Sequence, residues 1–155
     1  MRAPIRFGLG LLFAASATQA ADDGLSPSKV FELASPSIVV IEAHDKAGAV
    51  IALGSGVAIG DGVVVSNCHV FTKADTATVR YRQKNVPAKL RYADVEHDLC
   101  SFTVAGLTAP PVRMGSTFQL KVGEPAFAIG APEGLELTLS GGLIRLSAHL
   151  EPDIA

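Results

Sequence analysis

The sequence predicts an all-β fold, an antiparallel barrel or sandwich, for a chain of 155 residues that is 48% apolar. Between residues 37 and 104, short runs rich in Val, Ile and aromatic residues alternate with Gly, Asp, Asn and Pro, and no helical periodicity separates them. Runs of this length, bounded by turn residues, are typical of antiparallel strands. The six runs are SIVVIEA, AVIALGSGVAIG, GVVVSN, ATVRYR, VPAKLRYADV and DLCSFTV.

Residues 1–20 have the pattern of a secretory signal peptide. Arg2 and Arg6 form a basic start. The apolar segment FGLGLLFAA follows it, and the small residues of SATQA come last. We predict cleavage after Ala20, with Ala17 as the competing position. The alternative is an uncleaved membrane anchor, but the apolar segment is shorter than the ~20 residues that a membrane span needs. The mature chain is therefore expected to be periplasmic or secreted, without a stable membrane anchor.

The charge of the mature chain excludes some classes of partner. Residues 1–20 contain two of the 13 basic side chains and none of the 15 acidic ones, so cleavage leaves 11 basic and 15 acidic side chains and a net charge of −4. A mildly acidic chain without a basic stripe does not suit nucleic acid or an anionic membrane surface. We expect neither as a partner.

Turn and capping residues define the elements around the six runs. Ser26 is a suitable N-cap and Pro27 a suitable first residue for a short helix, which should end near residue 34 because Pro36 disfavours helix before it. GVAIGDGVVVS is typical of a hairpin that turns at residues 60–62.

The second part of the chain has a different organisation. Residues 105–123 are rich in Pro and Gly and predict a long connection, and AFAIGAP with LELTLSGGLIRLSAHL predicts two or three further strands. The expected units are residues 26–104 and residues 124–155.

His69 and Asp98 are the candidate catalytic residues. A serine hydrolase needs an imidazole that accepts the hydroxyl proton and a carboxylate that holds the imidazole in the required tautomer. His69 follows an apolar strand where SN interrupts it, and Asp98 begins the next apolar strand, where it can be buried facing inward while His97 faces outward. Each residue alone also suits a structural histidine or a turn aspartate.

The same region contains residue types that bind zinc. Cys68 and His69 are adjacent, and HDLC spans residues 97–100. Neighbouring residues of a strand point to opposite faces, so Cys68 and His69 could hardly bind one ion from an extended segment. We therefore expect no metal site.

Four segments resemble the trypsin-like serine peptidases, most closely their bacterial HtrA/Deg branch. GSGVAIGDGVVVSNCHVF is similar to the family hairpin that begins with G-S-G and ends in T-N-x-H-V with the catalytic histidine. YADVEHDLCSFTV is similar to the strand that begins with the catalytic aspartate. ASPSIVVIEA resembles the first strand, and RMGSTFQLKVGEPAFAIGAPEGLELTLSGGLIRLS resembles the connection and the opening strands of the second barrel. The segments occur in family order and cover nearly all of residues 30–155.

The resemblance implies a trypsin-like double β-barrel with a short N-terminal helix, in which the first barrel is complete and the second only begun. It implies a serine-type endopeptidase that forms an acyl-enzyme on protein or peptide substrates and needs no cofactor, with His69 as general base and Asp98 as the residue that orients it. A homo-oligomer of the full-length form is compatible with the family.

The family's nucleophile should lie in a G-[ND]-S-G-G motif, and the sequence contains none. Ser140 in LSGG is the nearest imitation, but it lacks the preceding Gly and Asp or Asn. EPDIA resembles the segment just before the nucleophile loop, with Asp153 matching its aspartate. We therefore expect an incomplete product of a peptidase gene that is inactive by itself. The alternative is a non-catalytic homologue that binds proteins or peptides.

The two cysteines flank the candidate pair. If His69 and Asp98 form a hydrogen bond across the cleft, Cys68 and Cys100 come within bridging range, and an exported chain meets an oxidising compartment. We predict a Cys68–Cys100 disulfide; two buried free thiols are the alternative. Three other positions receive no catalytic role: His44 and His149 are expected to face solvent, and Asn67 is expected to shape the turn before His69.

Overall fold

The computed structural model describes residues 24–132 and 136–145. The predicted signal peptide, His149 and Asp153 lie outside the described residues. None of the helices within the described ranges is long and apolar enough to cross a membrane.

The first helix of the described residues is α1, Pro27–Ala34, as the sequence predicts. Ser26 is its N-cap and accepts a hydrogen bond from the backbone N–H of Lys29 at 3.3 Å. A 3₁₀ turn, Ser35–Ser37, follows the helix and leads into the first strand.

Six antiparallel strands then close into a barrel, which confirms the predicted all-β class. The strand order around the barrel is β1-β2-β3-β6-β5-β4, so every strand has two neighbours and no edge is left open. The strands are β1 Ile38–His44, β2 Val50–Gly60, β3 Val63–Ser66, β4 Thr76–Tyr81, β5 Lys84–Asp94 and β6 Leu99–Thr103.

The barrel interior is an apolar core. Alternating residues of the strands point into it, as the two-residue period of a strand requires. Its largest fully buried side chains are Phe102, Ile41, Val39, Val64, Val79 and Val104. Burial of these side chains is the main favourable term for the barrel.

The predicted hairpin of β2 and β3 turns at Asp61 and Gly62. Gly62 has φ +66°, and a Cβ at this position would lie 2.9 Å from the carbonyl oxygen of Val104. Glycine satisfies both constraints, because it has no Cβ and adopts positive φ readily.

Beyond the barrel, residues 104–124, all of which the structure describes, form no strand and one 3₁₀ turn, Thr117–Gln119. Strands β7, Pro125–Gly130, and β8, Thr138–Leu143, pair as a separate two-stranded sheet. The backbone N–H of Ala131 donates to the Ser55 hydroxyl at 2.8 Å and joins this sheet to the barrel.

Candidate active site

His69 lies in a 3₁₀ turn, Cys68–Phe71, that follows β3. The last residue of β3, Ser66, is buried, and its hydroxyl donates to the carbonyl oxygen of Ser55 at 2.8 Å. On the other side of His69, Val70 covers Gly54 so closely that a Cβ at Gly54 would lie 2.8 Å from a Val70 methyl group. Both contacts seat the turn on β2, while 70% of the His69 side chain stays exposed.

Asp98 lies in the turn between β5 and β6, one residue before β6 begins. The expectation of a buried, inward-facing carboxylate was wrong, because 39% of its side chain is exposed. Strand alternation does not apply here: Asp98 has φ +54°, the left-handed conformation, which Asp tolerates better than most residues. This backbone conformation turns both the carboxylate and the carbonyl of Asp98 toward residues 67–69.

His69 and Asp98 form a hydrogen-bonded pair. The ring Nδ1 lies 2.6 Å from Oδ2, and the backbone N–H of His69 donates to Oδ1 at 2.8 Å. An ionised carboxylate can only accept hydrogen bonds, so Nδ1 is assigned the proton. In the neutral ring this leaves Nε2 with a free lone pair, and within residues 24–132 and 136–145 no group forms a hydrogen bond with it.

Asn67 is a third member of this cluster, which the sequence reasoning missed. Its side-chain amide donates to the Asp98 carbonyl at 3.2 Å and to Oδ2 at 3.1 Å. Its position two residues before the candidate base was a usable sequence signal. In the sequence analysis, Asn67 received only the role of shaping the turn.

Hydrogen bonds lower the pKa of Asp98 below its ordinary value. The largest cause is the bond from the His69 ring, followed by the bond from the His69 backbone, and Asn67 adds to them. Each of these bonds favours the ionised carboxylate. The site therefore keeps a negative charge on the Nδ1 side of the imidazole.

The predicted disulfide is present. Cys68 and Cys100 are bonded, with Cα atoms 5.0 Å apart, and both residues are buried. The bond joins the turn that holds His69 to β6, two residues beyond Asp98. Both sulfurs are thereby unavailable as thiolate ligands, and within the described part of the chain no three His, Cys, Asp or Glu side chains are placed to bind one ion.

His97 belongs to a separate pair on the same turn. Its Nδ1 lies 2.9 Å from an Asp94 oxygen, and 74% of its side chain is exposed. The pKa of Asp94 is lowered, first by the hydrogen bond from the His97 backbone and then by the bond from its side chain. His97 thus faces away from the core, as predicted.

The expectation for His44 was wrong. Only 15% of its side chain is exposed, because its ring lies between the Thr78 hydroxyl, 2.9 Å from Nε2, and the carbonyl oxygen of Gly48, 3.2 Å from Nδ1. Strand β4 and the turn between β1 and β2 cover this position, and the sequence of β1 alone does not show that cover.

An apolar groove of about 440 Å³ lies beside the His69–Asp98 pair. Its walls come from the 3₁₀ turn and from β5 with its following turn, and include Phe71, Leu90, Ala93 and Val95. Ser140 does not line this groove; it lies exposed in β8.

A closed antiparallel barrel with a histidine and an aspartate paired at its rim is the arrangement expected of a trypsin-like peptidase. The family model described as "Trypsin-like peptidase domain" matches residues 54–150. The chain belongs to this family.

Among curated relatives, the "Probable periplasmic serine endoprotease DegP-like" of Ectopseudomonas mendocina is 40% identical over 102 residues, which are 64% of this chain and 22% of the relative. The chain thus matches about a fifth of such a relative's length. A solved serine endoprotease from Yersinia pestis is 25% identical with a TM-score of 0.72, over 82% of this chain and 47% of that one.

A solved HtrA-type protease with a tripeptide is 26% identical, with a TM-score of 0.69, over 81% of this chain and 43% of that one. These similarities support the HtrA/Deg branch that the sequence motifs indicate.

Proposed function

We propose that His69 and Asp98 are the general base and its orienting acid in a serine endopeptidase of the HtrA/Deg branch. The observation that carries the proposal is the 2.6 Å contact between Nδ1 of His69 and Oδ2 of Asp98, which leaves the Nε2 lone pair available. Membership of the trypsin-like family supports it.

The proposed chemistry follows from the tautomer. Nε2 accepts the proton of a serine hydroxyl as the serine oxygen attacks the scissile carbonyl carbon. The ionised Asp98 stabilises the imidazolium that forms, and the imidazolium then donates the proton to the leaving amine. Water hydrolyses the acyl-enzyme by the same route, so no metal or cofactor enters the reaction.

We propose further that residues 1–155 do not supply the nucleophile. No G-[ND]-S-G-G motif occurs in them, and Ser140 lies in strand β8 rather than in such a loop. A longer product of the same gene would provide the serine, and the present chain alone would be inactive because loss of the nucleophile removes the covalent route.

Protein or peptide substrates and an exported, periplasmic location are part of the proposal. The curated relatives are named periplasmic serine endoproteases, and residues 1–20 have the pattern of a signal peptide.

Fluorophosphonate labelling tests the proposed activity. The gene is expressed from its own locus, with all codons that follow Ala155, and the product is compared with its His69→Ala and His97→Ala variants. We expect labelling that His69→Ala abolishes and His97→Ala preserves, because His97 pairs with Asp94 and not with Asp98. Labelling that survives His69→Ala contradicts the proposal.

A binding protein without catalysis is the second candidate, favoured by the missing nucleophile motif. Codons after Ala155 that encode no G-[ND]-S-G-G motif, together with a folded but unlabelled product, support this candidate. Labelling of residues 1–155 alone that is lost in Ser140→Ala would contradict this candidate, and also the proposal that residues 1–155 do not supply the nucleophile.

A further inference from the structure

Asn67 holds Asp98 at two points. One side-chain amide reaches both the main-chain carbonyl of Asp98, at 3.2 Å, and its carboxylate Oδ2, at 3.1 Å. A primary amide has two N–H donors, so it can make both bonds at once. The two residues lie 31 positions apart in the sequence, on different elements of the barrel.

The local backbone does not require an asparagine at position 67. Asn67 has φ −74° and ψ 138°, an extended conformation that any residue adopts. It is also the N-cap of the 3₁₀ turn, where Asn commonly accepts a bond from a backbone N–H, yet its side chain makes no capping bond. Among the residues that the structure describes, this side chain forms hydrogen bonds only with Asp98.

Asp98 is a residue whose placement needs external support. It occupies the left-handed conformation at φ +54°, which is unfavourable for a residue with a Cβ. The turn itself contributes one long bond, from the Asp98 N–H to the Val95 carbonyl at 3.3 Å. The Asp98 carbonyl accepts its bonds from outside the turn, from the Asn67 amide and from the backbone N–H of Cys68.

The contact from Asn67 differs in kind from the other bonds to the Asp98 carboxylate. Oδ1 accepts from the His69 backbone and Oδ2 from the His69 ring, so both of these donors belong to the residue that Asp98 must orient. Asn67 donates from outside that residue. Its bond fixes Oδ2 independently of the position of the imidazole.

We propose that Asn67 is a positioning residue that clamps the carbonyl and carboxylate of Asp98, so that Oδ2 faces Nδ1 of His69. Its importance for catalysis rests on the proposed function. The clamp itself is a property of the folded chain and can be measured without a nucleophile.

Titration of the Asp98 carboxyl carbon by ¹³C NMR tests the proposal in the full chain. Four proteins are compared: the native chain, Asn67→Ala, Asn67→Asp, and the control Asn85→Ala, which changes an exposed asparagine of β5. The other titratable groups of the turn are Asp94, Glu96 and His97, and all four proteins retain them.

We expect the pKa of Asp98 to rise in the order native, Asn67→Ala, Asn67→Asp, and to be unchanged in Asn85→Ala. Alanine removes a donor that favours the ionised carboxylate, and aspartate adds a like charge that disfavours it. A general loss of structure would not produce this order. Since Asn67 is exposed, neither substitution leaves a cavity in the core.

An unchanged pKa of Asp98 in Asn67→Ala overturns the proposal, as does an equal pKa in the Ala and Asp variants. The titration tests the clamp, and the fluorophosphonate experiment tests the proposed activity, so either can be refuted without the other. If the pKa of Asp98 is unchanged in the Asn67 variants but labelling depends on His69, only the clamp is refuted. If the pKa rises in the expected order, the clamp is supported even in a product that is not labelled.

Discussion

At the scale of single residues, polar contacts rather than packing set the orientation of the His69 ring. Its side chain is 70% exposed, so few neighbouring atoms restrict its rotation. The bond to Asp98, and the bonds that hold Asp98 in turn, select one ring orientation and one tautomer. The site is therefore sensitive to small polar substitutions that leave the barrel core unchanged.

Asp98→Asn tests the proposed role of Asp98 as orienting acid, in a gene product that contains the nucleophile. The amide can donate toward Nδ1, which favours the tautomer with its proton on Nε2, the wrong one for a general base. We expect kcat to fall on the order of 10⁴-fold. Asp94→Asn is the matched control, because Asp94 pairs with His97. A loss of similar size in both variants would contradict the assigned role.

The pH dependence of stability provides a second test of Asp98. Its folded pKa is depressed, chiefly by the His69 ring, so it contributes stability that is fully present above the unfolded pKa of about 3.9. That contribution is lost as the pH falls through the folded pKa. Asp98→Asn should be less stable near neutral pH and should lose less stability on acidification. Urea unfolding at a series of pH values measures this; parallel curves for the two proteins would refute it.

The sequence identified the residues of the pair, but not how they are held. His69 and Asp98 were identified because their local patterns occur in a family order, and the disulfide was predicted from the positions of Cys68 and Cys100 beside them. The Asn67 contacts depend on a left-handed residue in a turn 31 positions away, and strand alternation misplaced Asp98 because it does not hold inside a turn. His44 was misjudged for a related reason, since its cover comes from a neighbouring strand.

At the scale of elements, the disulfide joins the two segments that hold the pair. Cys68 precedes His69, and Cys100 lies in β6, 32 residues later. The strands themselves were predictable, because alternation and turn residues are local signals. Closure of the barrel was not, since it depends on pairing between strands distant in sequence, such as β1 with β4.

Removal of the disulfide should lower the free energy of unfolding by about 3 to 4 kcal/mol, the chain-entropy value for a loop of this length. The double variant Cys68→Ala/Cys100→Ala is compared with the oxidised native chain by urea unfolding. Reduction of the native chain, which adds about 2 Da, should produce the same change. Equal unfolding midpoints for oxidised and reduced protein would contradict a stabilising cross-link.

At the scale of the whole molecule, the barrel and the β7–β8 sheet differ in burial. The barrel contains fully buried side chains such as Ile41 and Val64, whereas no residue of β7 or β8 is buried. Large apolar side chains of the preceding connection and of β8 are exposed, among them Phe118, Val122 and Leu143. Burial of apolar surface therefore stabilises this sheet much less than it stabilises the barrel.

Hydrogen exchange should reveal this difference. Amides of β1, β3 and β6 should exchange only through large-scale opening of the barrel, and those of β7 and β8 through local opening at a lower free energy. Exchange followed by mass spectrometry on the full chain measures both. Equal protection of the barrel and the sheet would show that the two form one cooperative unit, contrary to the prediction.

We infer that His69 presents an unprotonated Nε2 because Asp98 holds the proton on Nδ1. Imidazole ¹⁵N NMR of the full chain at about pH 8, where an ordinary histidine is neutral, measures this directly, and loss of the signal in His69→Ala assigns it. We predict a protonated Nδ1, an unprotonated Nε2, and loss of this preference in Asp98→Asn. A proton on Nε2, or a tautomer ratio that Asp98→Asn leaves unchanged, would contradict it.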